Sequence, residues 1–298
     1  FIFDETKNLY FISIFLIFLL SFIFFSIFLI IFNFNKTLPI IFLLPVIFII
    51  IEYTISIIFY GFPWVTFALI ISSSDYFLYS IKFLGTFITS YLVVQIFCLP
   101  YFFLNNNNIK IPIRYFSLFI SSVIIIVSSS LLFINFDKVK KRNINLEIFQ
   151  VNFLNNNTEQ NSLKNIDTLK KLIKNSNADL LIFAENNYPY LIKDFEFSHL
   201  KKSLKRDQTL IIGGSRLSNK KYYNTLFNIT NSKVSYFDKQ ILVPFGEFLP
   251  LRNVLSYFEV ISGPNDYSIG EKNRLLNIDN KVSYIPVICY EIIFYWKL

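Results

Sequence analysis

Long apolar runs fill the first part of this chain, and short runs with strand or helix periodicity fill the rest. Leu9 to Phe34 holds 26 residues without a charge, more than the ~20 an α-helix needs to cross a hydrocarbon core ~30 Å thick. Three further runs follow, at residues 38–60, 77–104 and 111–136, so four spanning helices are expected within residues 1–136. Between the second and third, Gly61-Phe62-Pro63-Trp64 and the apolar stretch to Ser72 are too short to span. They read as a re-entrant or interfacial segment.

From residue 137 the pattern changes. Leu146 to Asn152 is strand-like, and Leu163, Ile166, Leu169, Leu172 and Ile173 recur at helical spacing. Asp179 to Ala184 is a buried strand, and further strands are expected at Thr209–Gly214, Asn224–Ile229, Val234–Tyr236 and Val282–Cys289. Strand, helix and strand in succession predict an α/β layer architecture for residues 137–298, joined to the helical part as a second domain. The Asn-rich stretches at 105–108 and 155–157 read as loops.

Charge sharpens the division. Only 16% of the residues are charged and 54% are hydrophobic, which excludes one ordinary soluble domain. Residues 1–136 carry five basic and four acidic groups, and residues 137–298 carry 23 and 16, so most of the net +8 lies in the second part. Without an aromatic-interleaved basic stripe, that charge suits anionic lipid head groups better than nucleic acid. Discounting the cluster Lys138, Lys140, Lys141 and Arg142 as part of a long translocated domain, the short loops around Lys36, Lys110 and Arg114 face the cytoplasm. The second domain then lies outside it. Glu52, inside the second apolar run, reads equally as a functional group or as a helix-packing hydrogen bond. The chain has no Met and stops at Leu298 soon after its best motif, so both ends are expected to be incomplete.

Two cysteines far apart, Cys98 and Cys289, and the single His199 suggest neither a disulfide framework nor a metal site, and no cofactor is called for. Three short segments carry candidate chemistry. Glu185 follows the strand Leu180-Leu181-Ile182-Phe183-Ala184, Lys239 precedes Gln240-Ile241-Leu242-Val243-Pro244-Phe245-Gly246-Glu247, and Cys289 follows Ile285-Pro286-Val287-Ile288 and precedes Tyr290-Glu291. A thiol nucleophile needs a base, and a fixed ammonium lowers a thiol pKa and steadies an oxyanion in acyl transfer. One Glu, one Lys and one Cys supply those three jobs.

Tyr236 to Pro250 is similar to the Lys-containing signature of the apolipoprotein N-acyltransferases, membrane members of the nitrilase (carbon-nitrogen hydrolase) superfamily. Cys289-Tyr290-Glu291 resembles that family's nucleophile motif, Glu185 with Pro189 resembles its base segment, and Tyr60-Gly61-Phe62-Pro63-Trp64 resembles its membrane-side Gly-Phe-Pro-Trp. Residue 55 is Ile where the family commonly has Arg. The resemblance implies a multi-pass α-helical membrane domain followed by an αββα nitrilase-like sandwich, incomplete at its C-terminal end. It implies Glu185 as base, Lys239 as oxyanion-stabilising lysine and Cys289 as nucleophile. Glu247 would support the lysine and base, and Tyr290 and Glu291 would shape the site. The implied reaction moves an acyl chain from a phospholipid, through a Cys thioester, to the α-amine of a lipoprotein's N-terminal diacylglyceryl-cysteine. The implied partners are the phospholipid donor, the diacylated lipoprotein acceptor and membrane lipid, with no nucleic acid. The implied location is the bacterial inner membrane, with the catalytic domain on the periplasmic side. Two other readings stay open: a membrane-tethered nitrilase-type amidase using the same three residues, and a non-catalytic membrane fragment.

Overall fold

The computed structural model describes residues 10–34, 40–61, 66–73, 75–98, 113–134, 144–151, 153, 159–193, 197–253, 265–271, 274–278 and 282–297. Phe62, Pro63 and Trp64 of the Gly-Phe-Pro-Trp motif lie outside these residues, as do the two Asn-rich stretches, Lys36, Lys110 and the basic cluster at 138–142. The chain divides into two compact units, Phe1–Lys140 and Lys141–Leu298.

The first unit is helical: α1 (Tyr10–Phe34), α2 (Ile40–Ile57), α3 (Asp75–Phe97) and α4 (Ile113–Ile134), with 3₁₀ turns at Ile58–Tyr60 and Phe67–Ser73. Among the described residues, one stretch, Leu78–Phe97, is long and apolar enough to cross a bilayer, while the apolar parts Ile17–Ile30, Leu43–Ile57 and Phe119–Ser129 are shorter. α3 is broken at Gly85, where φ is +77°. Leu43, Ile47 and Ile51 of α2 are buried against Phe24, Ile27 and Phe28 of α1. Leu92 and Val93 of α3 are buried with Ile126 of α4, and Ser122 Oγ donates to Gln95 Oε1 at 2.8 Å across that pair. Backbone groups shielded from water must find partners. The Phe67–Ser73 turn finds two of its own in side chains of other helices: Phe67 N–H donates to Glu52 Oε1 at 2.6 Å and Ala68 N–H to Ser90 Oγ at 2.9 Å. Glu52 thus makes the packing hydrogen bond that was one of its two readings.

The second unit is built on a five-stranded mixed sheet in the order β1 (Leu146–Phe149), β2 (Leu180–Phe183), β3 (Thr209–Ser218), β4 (Lys221–Ile229) and β5 (Val234–Asp238). β1, β2 and β3 run parallel, and β3, β4 and β5 run antiparallel. Helix α5 (Glu159–Asn175) connects β1 to β2, α6 (Ser198–Lys201) precedes β3, and β6 (Leu276–Ile278) pairs with β7 (Val282–Tyr284) in a separate hairpin. The helical spacing read from the sequence places Ile166, Leu169 and Ile173 of α5 on the sheet, buried with Leu181, Phe183, Leu210, Ile212, Phe227 and Ile229. Each fully buried Leu or Ile there contributes roughly 1.5–3 kcal/mol.

Strand alternation decides what the other face carries. Phe227 points into the α5 core, while Leu226 and its cross-strand partner Phe237 join Leu276 and Ile288 in a second cluster. The same alternation sends Asn224 and Asn228 to the face of Leu226. Asn228 Nδ2 there donates to the Asn277 carbonyl of β6 at 2.9 Å.

The strand expected over Val282–Cys289 ends at Tyr284. Pro286 has no N–H for a ladder, and the Ile288 N–H is taken by Glu291 Oε2 at 3.0 Å. Cys289 instead opens a 3₁₀ helix, Cys289–Lys297, with φ at +48°. β3 and β4 run longer than their apolar patterns predicted, because Asn219 and Lys220, both at positive φ (50° and 63°), close a tight hairpin past the two glycines.

Candidate active site

The segments that leave β2 and β5 meet around one buried ammonium. Lys239 follows β5; its N–H donates to the Asn224 carbonyl at 2.8 Å and its own carbonyl accepts from Gly270 N–H at 2.9 Å. A Cβ on Gly270 would lie 2.2 Å from the Asp238 carbonyl oxygen, so only glycine lets this segment close over the lysine. The Lys239 side chain is 1% exposed, with Nζ 2.9 Å from Glu247 Oε1 and 3.6 Å from Glu185 Oε1. A buried cation is tolerable only when paired, and here two carboxylates share it.

Glu185 sits in the turn that leaves β2. Asn186 takes a positive φ of 56°, and Ala184 N–H donates to Asn187 Oδ1 at 3.1 Å. The turn rests on Gly213 of β3, where a Cβ would fall 2.9 Å from Glu185 Cα and 3.0 Å from Asn186 N. Glu247 is fixed by a turn in its own loop: its Oε2 accepts Val243 N–H at 2.8 Å. Phe245, at φ +63°, takes the backbone around that turn.

Cys289 is exposed at the start of its 3₁₀ helix. Its thiol lies close enough to Glu185 and Lys239 for both charges to act on it. Partial burial pushes the thiol pKa up, and the Glu185 charge pushes it further, against an opposing pull from Lys239. At rest it is a neutral thiol beside a carboxylate. Glu185, Lys239, Cys289 and Glu247, 104 residues apart at the extremes, are therefore neighbours.

Glu291 is 0% exposed and lies behind the cysteine. Its Oε1 accepts the N–H groups of Gln240 (2.8 Å) and Ile241 (3.1 Å), so it joins the lysine loop to the cysteine turn. Tyr290 is buried against Phe294, ring centroids 5.2 Å apart, and burial raises its hydroxyl to about 12. It braces the turn from inside.

Asn224 was not anticipated. Its Nδ2 donates to Glu185 Oε1 and to Glu247 Oε1, both at 2.6 Å, so a neutral donor lies with Lys239 between the two carboxylates. The one signal in the sequence was a polar residue two positions before Leu226, on the same face of β4. On the opposite face of the sheet, Asp238 accepts from Arg216 Nε (3.1 Å), Arg216 Nη2 (2.5 Å) and Thr225 Oγ1 (2.6 Å). The Arg216 guanidinium lies between the Tyr223 and Tyr236 rings, 4.5 and 4.8 Å from their centroids. This pair anchors the end of β5 one residue before the lysine. Among the described residues no group of three or more His, Cys, Asp or Glu side chains could hold a metal ion.

Residues 1–99 match the family model of the apolipoprotein N-acyltransferase N-terminal domain. The apolipoprotein N-acyltransferases of Rhizobium rhizogenes and Brucella suis biovar 1 are each 31% identical to this chain over 129 residues, covering 39% of it and 24% of theirs. That of Helicobacter pylori is 29% identical over 139 residues, covering 46% of this chain and 32% of its own. The chain is related by sequence to the apolipoprotein N-acyltransferases. The match spans only about a quarter of the first relatives' length. Among solved structures, a CN-hydrolase superfamily protein from Xanthomonas campestris aligns with 52% of this chain and 56% of its own at 14% identity, with a TM-score of 0.38.

Proposed function

We propose that this chain carries the acyl-transfer centre of an apolipoprotein N-acyltransferase, with Cys289 as nucleophile, Glu185 as proton shuttle and Lys239 as oxyanion partner. The observation that supports this reading is the cluster itself: an ammonium 2.9 and 3.6 Å from two carboxylates, with an exposed thiol close enough for Glu185 and the ammonium to act on it. Relatives named for the same reaction add to it.

The first step is attack of Cys289 Sγ on a phospholipid ester carbonyl as its proton passes to Glu185. The carbonyl oxygen becomes an oxyanion beside the Lys239 ammonium. Collapse breaks the ester C–O bond, the departing lysophospholipid oxygen takes the proton from Glu185, and an acyl thioester remains on Cys289. In the second step the α-amine of a diacylated lipoprotein N-terminus attacks the thioester, Glu185 accepts the ammonium proton, and collapse expels the Cys289 sulfur, which is reprotonated. Glu247 and Asn224 keep Glu185 and Lys239 in register throughout. Because the thiol pKa is raised, proton transfer to Glu185 accompanies attack rather than preceding it.

The same reading makes residues 1–136 a multi-pass anchor with α1 to α4 as spans and residues 137–298 a nitrilase-like sandwich on the periplasmic side of a bacterial inner membrane. Support comes from the large apolar side chains the helices leave exposed, among them Phe18, Phe22, Phe25, Ile88 and Leu131, which lipid would cover. Both substrates are lipidated, so a site tethered to the bilayer suits them. The test is transfer. The full chain, incubated in phospholipid vesicles with a labelled acyl donor and a diacylated lipopeptide, is expected to yield triacylated product at a rate that depends on phospholipid. Release of ammonia from small amides, independent of phospholipid, would replace this reading with an amidase.

A further inference from the structure

Arg274 belongs to no motif in the sequence, yet it bonds to both the lysine loop and the cysteine turn at the site's base. It lies just before β6 with its side chain 10% exposed. Nη2 donates to Glu291 Oε1 at 2.8 Å, Nε to Gln240 Oε1 at 3.0 Å and Nη1 to the Pro286 carbonyl at 3.4 Å. The guanidinium plane covers the Phe237 ring, 5.0 Å from its centroid. Gln240 adjoins Lys239, Pro286 precedes Cys289 by three, and Phe237 precedes Lys239 by two.

The carboxylate it meets has no other ion-pair partner among the described residues. Glu291, fully buried, collects the N–H groups of Gln240, Ile241 and Ile288. A buried carboxylate that gathers three backbone donors is held more firmly when a counter-charge accompanies it, and removing that partner is costly. Arg274 supplies that charge, and its planar fork reaches both loops at once, which a lysine could not do.

We propose that Arg274 is a positioning residue: through Glu291 it clasps the Cys289 turn to the Lys239 loop and so sets the distance between nucleophile and ammonium. The role rests on the acyl-transfer reading for its consequence but not for its geometry, and the test separates the two. In the full chain in phospholipid vesicles, with Cys98→Ser so that one thiol remains, two quantities are measured: the pH profile of Cys289 alkylation by iodoacetamide, and the rate of acyl loading from a labelled phospholipid.

Arg274→Met is expected to move the alkylation midpoint down toward the ordinary thiol value of about 8.5, as the cysteine leaves Glu185. Loading should fall on the order of 10²-fold, the usual consequence of a misplacement near 1 Å. Arg274→Lys, which keeps the charge and one hydrogen bond, recovers part of both. Arg274→Met combined with Glu291→Gln loses less than Arg274→Met alone, because no buried charge is left unpaired; this comparison also stands if the single variant does not fold. An unmoved alkylation profile in Arg274→Met, or a double variant as impaired as the summed singles, overturns the positioning role. A profile that shifts as expected in a chain whose unsubstituted form never loads acyl groups would support the clasp and refute the acyltransferase instead.

Discussion

Replacing Lys239 by Met removes one charge at nearly constant volume from a site that is 1% exposed. Glu185 and Glu247 then face each other across the Asn224 amide, which donates to both at 2.6 Å. Two like charges held on one nitrogen, about 5 Å apart, repel by roughly 3 kcal/mol at an effective dielectric near 20. Removing one member of a buried pair costs about 3–5 kcal/mol by experience with other proteins, which agrees with the Coulomb figure. Glu185 is one-third exposed, so screening places the expected loss toward the lower end. At ~2–4 °C per kcal/mol for a unit of this size, Tm should fall on the order of 10 °C. The assay is thermal unfolding of the full chain in detergent or vesicles at neutral pH. Adding Glu247→Gln to Lys239→Met should restore at least half of the loss, because the repulsion disappears with either carboxylate. A Lys239→Met chain destabilised by less than ~1 kcal/mol, or a double variant weaker than the single, would refute the electrostatic account of the cluster.

Other consequences concern neighbouring residues. The Cys289 thiol titrates above its ordinary value because of burial and Glu185, so its alkylation should be slow at pH 7 and keep rising past the usual thiol range. Glu185→Gln should shift that profile to lower pH while acyl loading falls ~10²–10⁴-fold, the share general-base catalysis supplies. Faster loading, or a profile shifted upward, would contradict the assignment. Gly213→Ala would place a methyl 2.9 Å from Glu185 Cα, costing about 1–3 kcal/mol in thermal unfolding and displacing the base. Asp238→Ala strands the buried Arg216 guanidinium, for a loss of about 3–5 kcal/mol that unfolding in urea would register. Wild-type stability in either variant would show that these contacts are dispensable.

Much of this was legible in the sequence, and the reasons are physical. The α5 helix and β2 announced themselves because a 3.6-residue apolar period and a five-residue apolar run each have one structural solution. The three motif residues were legible because chemistry restricts which side chains can serve as base, cation and thiol. Element ends were harder. The apolar pattern of β3 seemed to stop at Gly213 and Gly214, but those glycines are inside the strand, where the Glu185 turn needs the space of a missing Cβ. Cys289 looked like the end of a strand because Val287 and Ile288 precede it, yet Pro286 and the Glu291 carboxylate turn the backbone away. Asn224 and Arg274 were hard to read because their partners lie 12 to 39 residues away along the chain and are brought close only by the fold. Tertiary approach of that kind leaves no local period or spacing to read.

The most direct test of the central claim is the mass of the full chain after incubation with phospholipid of known acyl composition. The account predicts an increase of one acyl group, mapped to the peptide containing Cys289, removed by neutral hydroxylamine and lost in Cys289→Ala. An acyl group that survives hydroxylamine, or one that persists on the Cys289→Ala chain, would show that Cys289 is not the nucleophile.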